Sequence, residues 1–435
     1  MVYIYKMGDI DKVISNGYCV GCGSCQVENN VKTQENDYGM YYPDIEDFGK
    51  LNSKVCPFSN TSSNEIQISN NLFKNIKNIK FHKHIGHYKG LYAGYVTDNN
   101  TREKATSGGI TKWILYNLLK NKKIDGVIHV TRKKDSNKLF EYSIGKSKED
   151  IFNGSHSAYY TNNFSEVMNN ILNEKDDKKY AFIGVPCYCK SIRLLCQEST
   201  KLKNKIAFVI GILCGHMKTK NYAKFMAWES KLDPNKLTYI NFRKKNNTTA
   251  SDYIFNGKDV SKEVNVRRQQ LQGGNYNIPH MKYKACDFCE DVFGYCADVV
   301  LGDAWLSKYV KDKKGTNVVI VRNDYLFNLL KSDELKLDIL SESDIIKSQS
   351  SSYSHRIEEI GYRLYKESQR SDWVPNKIIK PVKNLKNSKR ENIQQLRMEI
   401  REKSHEYFLE ALNKNNLNIY FDKINNLINE LNFYY

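Results

Sequence analysis

No apolar run in this 435-residue chain approaches the length of a membrane span, so no integral membrane segment is expected. The opening residues, MVYIYKMGDIDKV, lack the basic, apolar and small-residue regions of a secretory signal, and a cytoplasmic location is expected. No Gly-x-Gly-x-x-Gly fingerprint follows a strand-like run, which counts against a nicotinamide site. There is no internal repeat and no dedicated basic arm. Lys and Arg number 67 against 49 Asp and Glu, for a formal net charge of +18, yet the basic residues are scattered through stretches such as RKKNN and KDKKGTN. That scatter fits a lysine-rich composition spread over all surfaces, and no nucleic-acid partner is expected.

Cysteine is present in quantity. Eleven cysteines in a reducing compartment point to metal or redox chemistry rather than to disulfides. Cys19, Cys22 and Cys25 form a C-x2-C-x2-C run in YCVGCGSCQ, and Cys56-Pro57 follows. Two-residue gaps let a tight loop turn three thiolates onto three corners of one 4Fe–4S cubane. The Cys-Pro dipeptide is how bacterial ferredoxins end such a run. Gly21 and Gly23 stand where the backbone must fold sharply and positive φ is expected. Zinc is the alternative, but a third cysteine three residues on crowds a single tetrahedral ion.

The length predicts more than one core. Residues 1–60 read as a small ferredoxin-like cluster module and the polar, Asn/Ser-rich stretch 61–84 as a linker. From LYAGYV onward, β-prone runs alternate with amphipathic ones: ITKWILYNLLK, DGVIHV, KYAFIGV, KSIRLLC and IAFVIGIL, then ADVVLGDAW and NVVIVRN. This predicts an α/β (α+β) domain over 85–345, and apolar residues at helical spacing predict a mainly helical region over 346–435.

Several junctions carry chemistry. Ser107-Gly108-Gly109-Ile110-Thr111 precedes an apolar helix, where backbone N–H groups and two hydroxyls suit a phosphate, although such turns also merely cap helices. Pro186-Cys187 follows a strand-like run, which places Cys187 near a helix N-terminus as nucleophile, metal ligand or buried thiol. Cys214 ends another such run, where ligands bind in α/β domains. Cys286 and Cys289 form a C-x2-C pair in need of partners. Cys187 and Cys214 would complete a second four-thiolate set, with Cys189, Cys196 and Cys296 as rivals. His156, His216 and Asp303 are candidate proton donors; closing a turn with Gly302 is the alternative role for Asp303.

Taken in order, CVGCGSC, TSGGIT, FIGVPC, LCGH, CDFC…ADVVLGDAW and KGTNVVIV resemble the coenzyme F420 hydrogenase/dehydrogenase beta-subunit family over roughly residues 15–325. The GDAW and KGTNVVIV segments look most like its bacterial branch associated with polysaccharide biosynthesis. The resemblance implies FAD beside 4Fe–4S clusters, here two. Ser107, Gly108, Gly109 and Thr111 fall in its flavin loop, and Cys187, Cys214, Cys286 and Cys289 at its inner-cluster positions. It implies an oxidoreductase passing electrons between a ferredoxin or similar carrier and a small-molecule or glycan-related substrate. An acidic donor of that kind would exploit the positive charge. Direct use of coenzyme F420 or a nicotinamide, an electron-transfer subunit without turnover of its own, and a zinc-dependent nucleic-acid binder are the alternatives. The sequence departs from the family at Gly154-Ser155-His156-Ser157, where relatives often carry Gly-Ser-Lys-Tyr near the flavin.

Overall fold

The computed structural model describes residues 9–29, 31–133, 138–154, 156–246 and 248–435. Ser155 therefore lies outside the described residues. The first ninety residues hold the cysteine loop, two short antiparallel ribbons (Thr33–Glu35 with Tyr41–Pro43, Lys80–His82 with Gly86–Tyr88) and helix α1 (Glu65–Phe73). The stretch expected to be a linker is thus partly helical. Asn64 and Gln67 close a reciprocal capping box at the start of α1, and Ile68 and Phe73 bury its apolar face. The polar composition that suggested a linker is the cap and the solvated side of this helix.

Strands β1 (Gly90–Val96), β2 (Gly126–Arg132), β3 (Phe140–Gly145), β4 (Tyr180–Gly184) and β5 (Ile206–Ile212) belong to one large sheet. A separate antiparallel sheet follows: β6 (Leu237–Lys245), β7 (Tyr253–Asp259) and β8 (Glu263–Arg267). Strands β9 (Val299–Asp303), β10 (Asn317–Val321) and β11 (Leu335–Ile339) return to the first sheet, whose order is β11-β1-β10-β9-β5-β4-β2-β3. The run β9-β5-β4-β2 is parallel; the remaining pairings are antiparallel. The fold is mixed α/β with a helical C-terminal region.

Side chains alternate between two cores along these strands, as a period of two requires. Val299, Leu301, Val319 and Val321 face helix α2 (Ile110–Lys120) and its Ile110, Ile114 and Leu118. Val300, Val318 and Ile320 face the other way, toward helix α3 (Pro186–Glu198) and its Ile192 and Leu194. Ile10, Val13 and Phe58 from the N-terminal segment, and Ile360 and Met398 from the C-terminal one, join that second core. A third core packs the small sheet through Phe242 and Phe255 against helices α4 (Ser388–Asn413) and α5 (Asn418–Phe433) through Phe408, Tyr420 and Ile424. Among the described residues no helix is long and apolar enough to cross a membrane.

Because β2, β4, β5 and β9 run parallel, their carboxyl ends share one edge of the sheet. Arg132, the Gly184–Cys187 turn, the Ile212–Cys214 turn and Asp303 are therefore brought to the same side. In open α/β sheets this is the edge where ligands bind.

Candidate functional site

Cys19, Cys22, Cys25 and Cys56 line one small cavity, closed by Ile10, Val13 and Phe58. Every pairing among these four thiols is close enough for electrostatic interaction. Gly21 and Gly23 adopt φ of +67° and +85° as the spacing requires, and a Cβ on Gly21 would stand 2.9 Å from the Tyr41 carbonyl. The Gly21 N–H approaches Cys19 Sγ at 3.4 Å. The Ser24 hydroxyl donates to Val55 O at 3.0 Å and sits 3.3 Å from Cys22 Sγ, which ties the loop to the Cys56 segment. Behind Cys56, the buried Lys190 amine donates to Pro57 O at 2.9 Å and pairs with Glu65 at 3.2 Å.

Cys187, Cys214, Cys286 and Cys289 form a second group in which every pairing again interacts. Pro186 is the first residue of α3, so Cys187 enters at the helix N-terminus. The Met217 N–H donates to Cys286 Sγ at 3.2 Å. Arg356 donates to Cys289 Sγ and to the carbonyls of Cys289, Cys214, Gly215 and Asp291. Burial pushes the Cys56 and Cys214 thiols up to about 12 and the Cys286 thiol up to about 11. The rivals are elsewhere. Cys189 is turned about 200° around the helix from Cys187, and its thiol donates to Gly184 O at 3.3 Å. Cys196 and Cys296 are buried away from the group.

The two groups adjoin. Cys187 senses Cys22, and the buried Ser191 hydroxyl donates to Cys187 O at 2.9 Å and lies 3.5 Å from Cys22 Sγ. Among the described residues, no three His, Cys, Asp or Glu side chains converge as a single metal ion needs. Each group of four thiols is approached by N–H, O–H or guanidinium donors, the kind of surroundings that could hold a thiolate-ligated cluster.

The third feature was not visible in the sequence. Lys112 on α2, Arg132 at the end of β2 and Lys245 at the end of β6 all act on His156. None of these cations has a carboxylate within ion-pair distance among the described residues. Lys112 donates to Phe152 O at 2.7 Å, Arg132 stacks 4.6 Å from the Tyr239 ring, and Lys245 donates to the carbonyls of Arg102, Ser107 and Lys314. Arg132 Nε and Arg243 Nε are buried without an acceptor. Burial, and then neighbouring cations, hold the two lysines down at about 8 and His156 at about 4. Half-buried like charges with no carboxylate paired to them among the described residues are suited to cradle an anion.

The Ser107–Thr111 segment borders this cradle through Lys245, but much of its chemistry is spent internally. The Ser107 hydroxyl donates to Thr316 O at 3.1 Å and the Ile110 N–H to Asn317 Oδ1 at 3.1 Å. A Cβ on Gly108 would stand 2.6 Å from Gly94 O, and Gly109 caps α2 with φ +86°. Thr111 lies in the first turn of α2. Asp303 also borders the cradle and pairs with Arg243 at 2.9 Å. His216 does not: it stacks on Tyr276, with ring centroids 4.1 Å apart, in the field of Arg356 and Lys218 beside the inner thiols. Burial and those cations keep it far below its ordinary pKa.

No curated protein matches the chain. A chain in the solved structure "Xenon derivatization of the F420-reducing NiFe hydrogenase complex from Methanosarcina barkeri" is similar, with 16% identity and a TM-score of 0.49 over 66% of this chain and 94% of that one. Two family models match side by side, downstream of the N-terminal cysteines: the coenzyme F420 hydrogenase/dehydrogenase beta subunit N-terminal region over residues 91–169 and its C-terminal region over 177–343. With more than half of its length matched in this way, the chain belongs to the coenzyme F420 hydrogenase/dehydrogenase beta-subunit family.

Proposed function

We propose that this chain is an iron–sulfur flavoprotein oxidoreductase that carries electrons between a ferredoxin-like donor and an organic substrate, a glycan-related one if the GDAW and KGTNVVIV segments reflect its branch. The observation that carries the reading is the pair of complete four-thiol groups joined through Cys187, Ser191 and Cys22. Cys19, Cys22, Cys25 and Cys56 would hold an outer 4Fe–4S cluster, and Cys187, Cys214, Cys286 and Cys289 an inner one. Lys112, Arg132 and Lys245, with the first turn of α2, would hold the phosphates of FAD. Bound there, the clusters supply one-electron steps and the flavin the two-electron exchange with substrate.

The surrounding residues have separate tasks. The outer thiols lie against the N-terminal segment, where a carrier protein can approach Cys19 and Cys56, both of which keep some exposure. His156 stays neutral at neutral pH and so holds no extra proton to deliver. Lys112 and Lys245, held near 8, are better placed to deliver one at neutral pH. Asp303 acts first as the counter-charge of Arg243.

Anaerobic reconstitution tests the reading. It should give about eight irons per chain, four per cluster, and equimolar flavin. Joint Cys22→Ser and Cys25→Ser replacement should remove half of the iron. A colourless protein containing zinc would overturn the proposal. The matched family is defined on beta subunits of larger enzymes, which favours a second reading: an electron-transfer subunit serving a catalytic partner. Turnover by the isolated chain excludes it.

A further inference from the structure

We propose that Arg356 raises the reduction potential of the inner cluster above that of the outer one, so that electrons entering beside Cys19 and Cys56 run downhill to Cys187. This rests on the two-cluster reading above. Arg356 is 3% exposed and sits on a π-helical turn, Ser354–Glu358, a distortion frequent at functional sites. Its guanidinium reaches both ligand segments of the inner group at once. It donates to Cys289 Sγ and Cys289 O on one side, to Cys214 O and Gly215 O on the other, and to Asp291 O at 2.8 Å. No carboxylate pairs with it among the described residues; the Asp291 carboxylate is occupied by the N–H groups of Gly294 and Tyr295. Its guanidinium is thus spent on the inner ligand segments, with Cys289, Cys214, Cys286 and Asp291 in its field.

Among the described residues the outer group has no equivalent. The cation near it, Lys190, is already neutralised by Glu65, and the donors to its sulfurs are neutral: the Gly21 N–H and the Ser24 and Ser191 hydroxyls. Reduction adds a negative charge to a cluster. A cation bonded to a ligand sulfur stabilises that form more than the oxidised one and raises the potential.

The experiment is an EPR-monitored redox titration of the anaerobically reconstituted full chain, with iron and acid-labile sulfide counted in each variant. Wild type should show two midpoints. The higher one should persist, and the lower vanish, when Cys22 and Cys25 are replaced by serine. Arg356→Gln should lower the higher midpoint by a tenfold loss of electron affinity, ~59 mV for one electron, and leave the lower midpoint in place. Arg356→Lys should restore part of the shift. If Arg356→Gln sheds the inner iron, Arg356→Lys carries the test: with its iron intact, its midpoint should still lie below that of wild type. An unshifted midpoint with iron intact, or a higher midpoint that belongs to the outer group, overturns the proposal. A wild-type chain that binds no iron instead refutes the cluster reading beneath it.

Discussion

Replacing Asp303 with asparagine separates a structural role from a catalytic one by number. The carboxylate lies 2.9 Å from Arg243 Nη2, with the two side chains 16% and 9% exposed. Arg243 also bonds the Tyr253 hydroxyl and packs 4.3 Å from that ring, while its Nε has no acceptor. Asp303→Asn keeps the shape and removes the one carboxylate paired, among the described residues, with a guanidinium that already has Lys245 as a neighbour. Breaking a buried ion pair from one side costs about 3–5 kcal/mol. The residual exposure of Asp303 and the Tyr253 contact put this case near the lower end, about 3 kcal/mol. Arg243→Met should cost less, because Lys245 remains to balance the carboxylate. The double variant should therefore show a coupling of about 2 kcal/mol between the two sites. Urea unfolding of the cofactor-free chain measures all three. At ~2.1 cal/mol/K per residue over 435 residues, a 3 kcal/mol loss corresponds to a fall in Tm of ~3 °C. An Asp303→Asn protein within ~0.5 kcal/mol of wild type that has nevertheless lost activity would refute the argument and return Asp303 to the reacting centre.

Three further outcomes are expected. Gly108→Ala should destabilise the chain more than Gly109→Ala in denaturant titrations, because its Cβ meets fixed backbone atoms of Gly94 and Asn317 at 2.6 and 2.9 Å, whereas at Gly109 the left-handed penalty of about 1–2 kcal/mol adds to a contact with the end of a side chain, Val96 Cγ2 at 2.9 Å. Lys112 and Lys245 titrate near 8 when folded and near ~10.4 when unfolded. The unfolded chain therefore holds more protons between those values, and cofactor-free stability should rise with pH across that window. Anion binding should change in the opposite direction, with sulfate raising Tm at pH ~7 and raising it much less by pH ~9.5, as the two lysine charges disappear and Arg132 remains. Reduction by ferredoxin should slow as salt rises, since screening weakens steering of an acidic donor; a rate indifferent to salt assigns the +18 charge to composition alone.

Much of this architecture was legible in the chain because the signals are local. The apolar runs at 90–96, 126–132, 180–184, 206–212, 299–303 and 317–321 are six of the eight strands of the large sheet, and the periodic stretches 110–120 and 186–198 are helices. Gly21 and Gly23 take the positive φ that the cysteine spacing demands. Hidden were the two edge strands β3 and β11, helix α1 and the small sheet. The capping box of α1 sits in a polar run whose only buried apolar residues are Ile68 and Phe73. The small sheet was obscured because β6 carries register irregularities against β7 that break the alternation of LTYINFRKK.

By itself, the sequence determined that thiols would gather, and that strands would end in turns carrying Cys187, Cys214 and Asp303, since both depend on neighbours a few positions away. Only the tertiary structure decided which thiols meet. Cys189 is two residues from Cys187 yet faces the opposite side of α3, because each helical residue turns the side chain by about 100°. It also decided where the cations collect. Lys112, Arg132, Arg243 and Lys245 come from α2, β2 and β6, and they read as part of a diffuse basic composition until the shared edge of the parallel strands draws them around His156. Arg356 is remote in sequence from the cysteines it touches, and its role follows from a π-helical turn that carries its guanidinium into the inner thiol group. Long-range convergence of this kind is set by sheet order and helix docking, which no short stretch of the chain encodes alone.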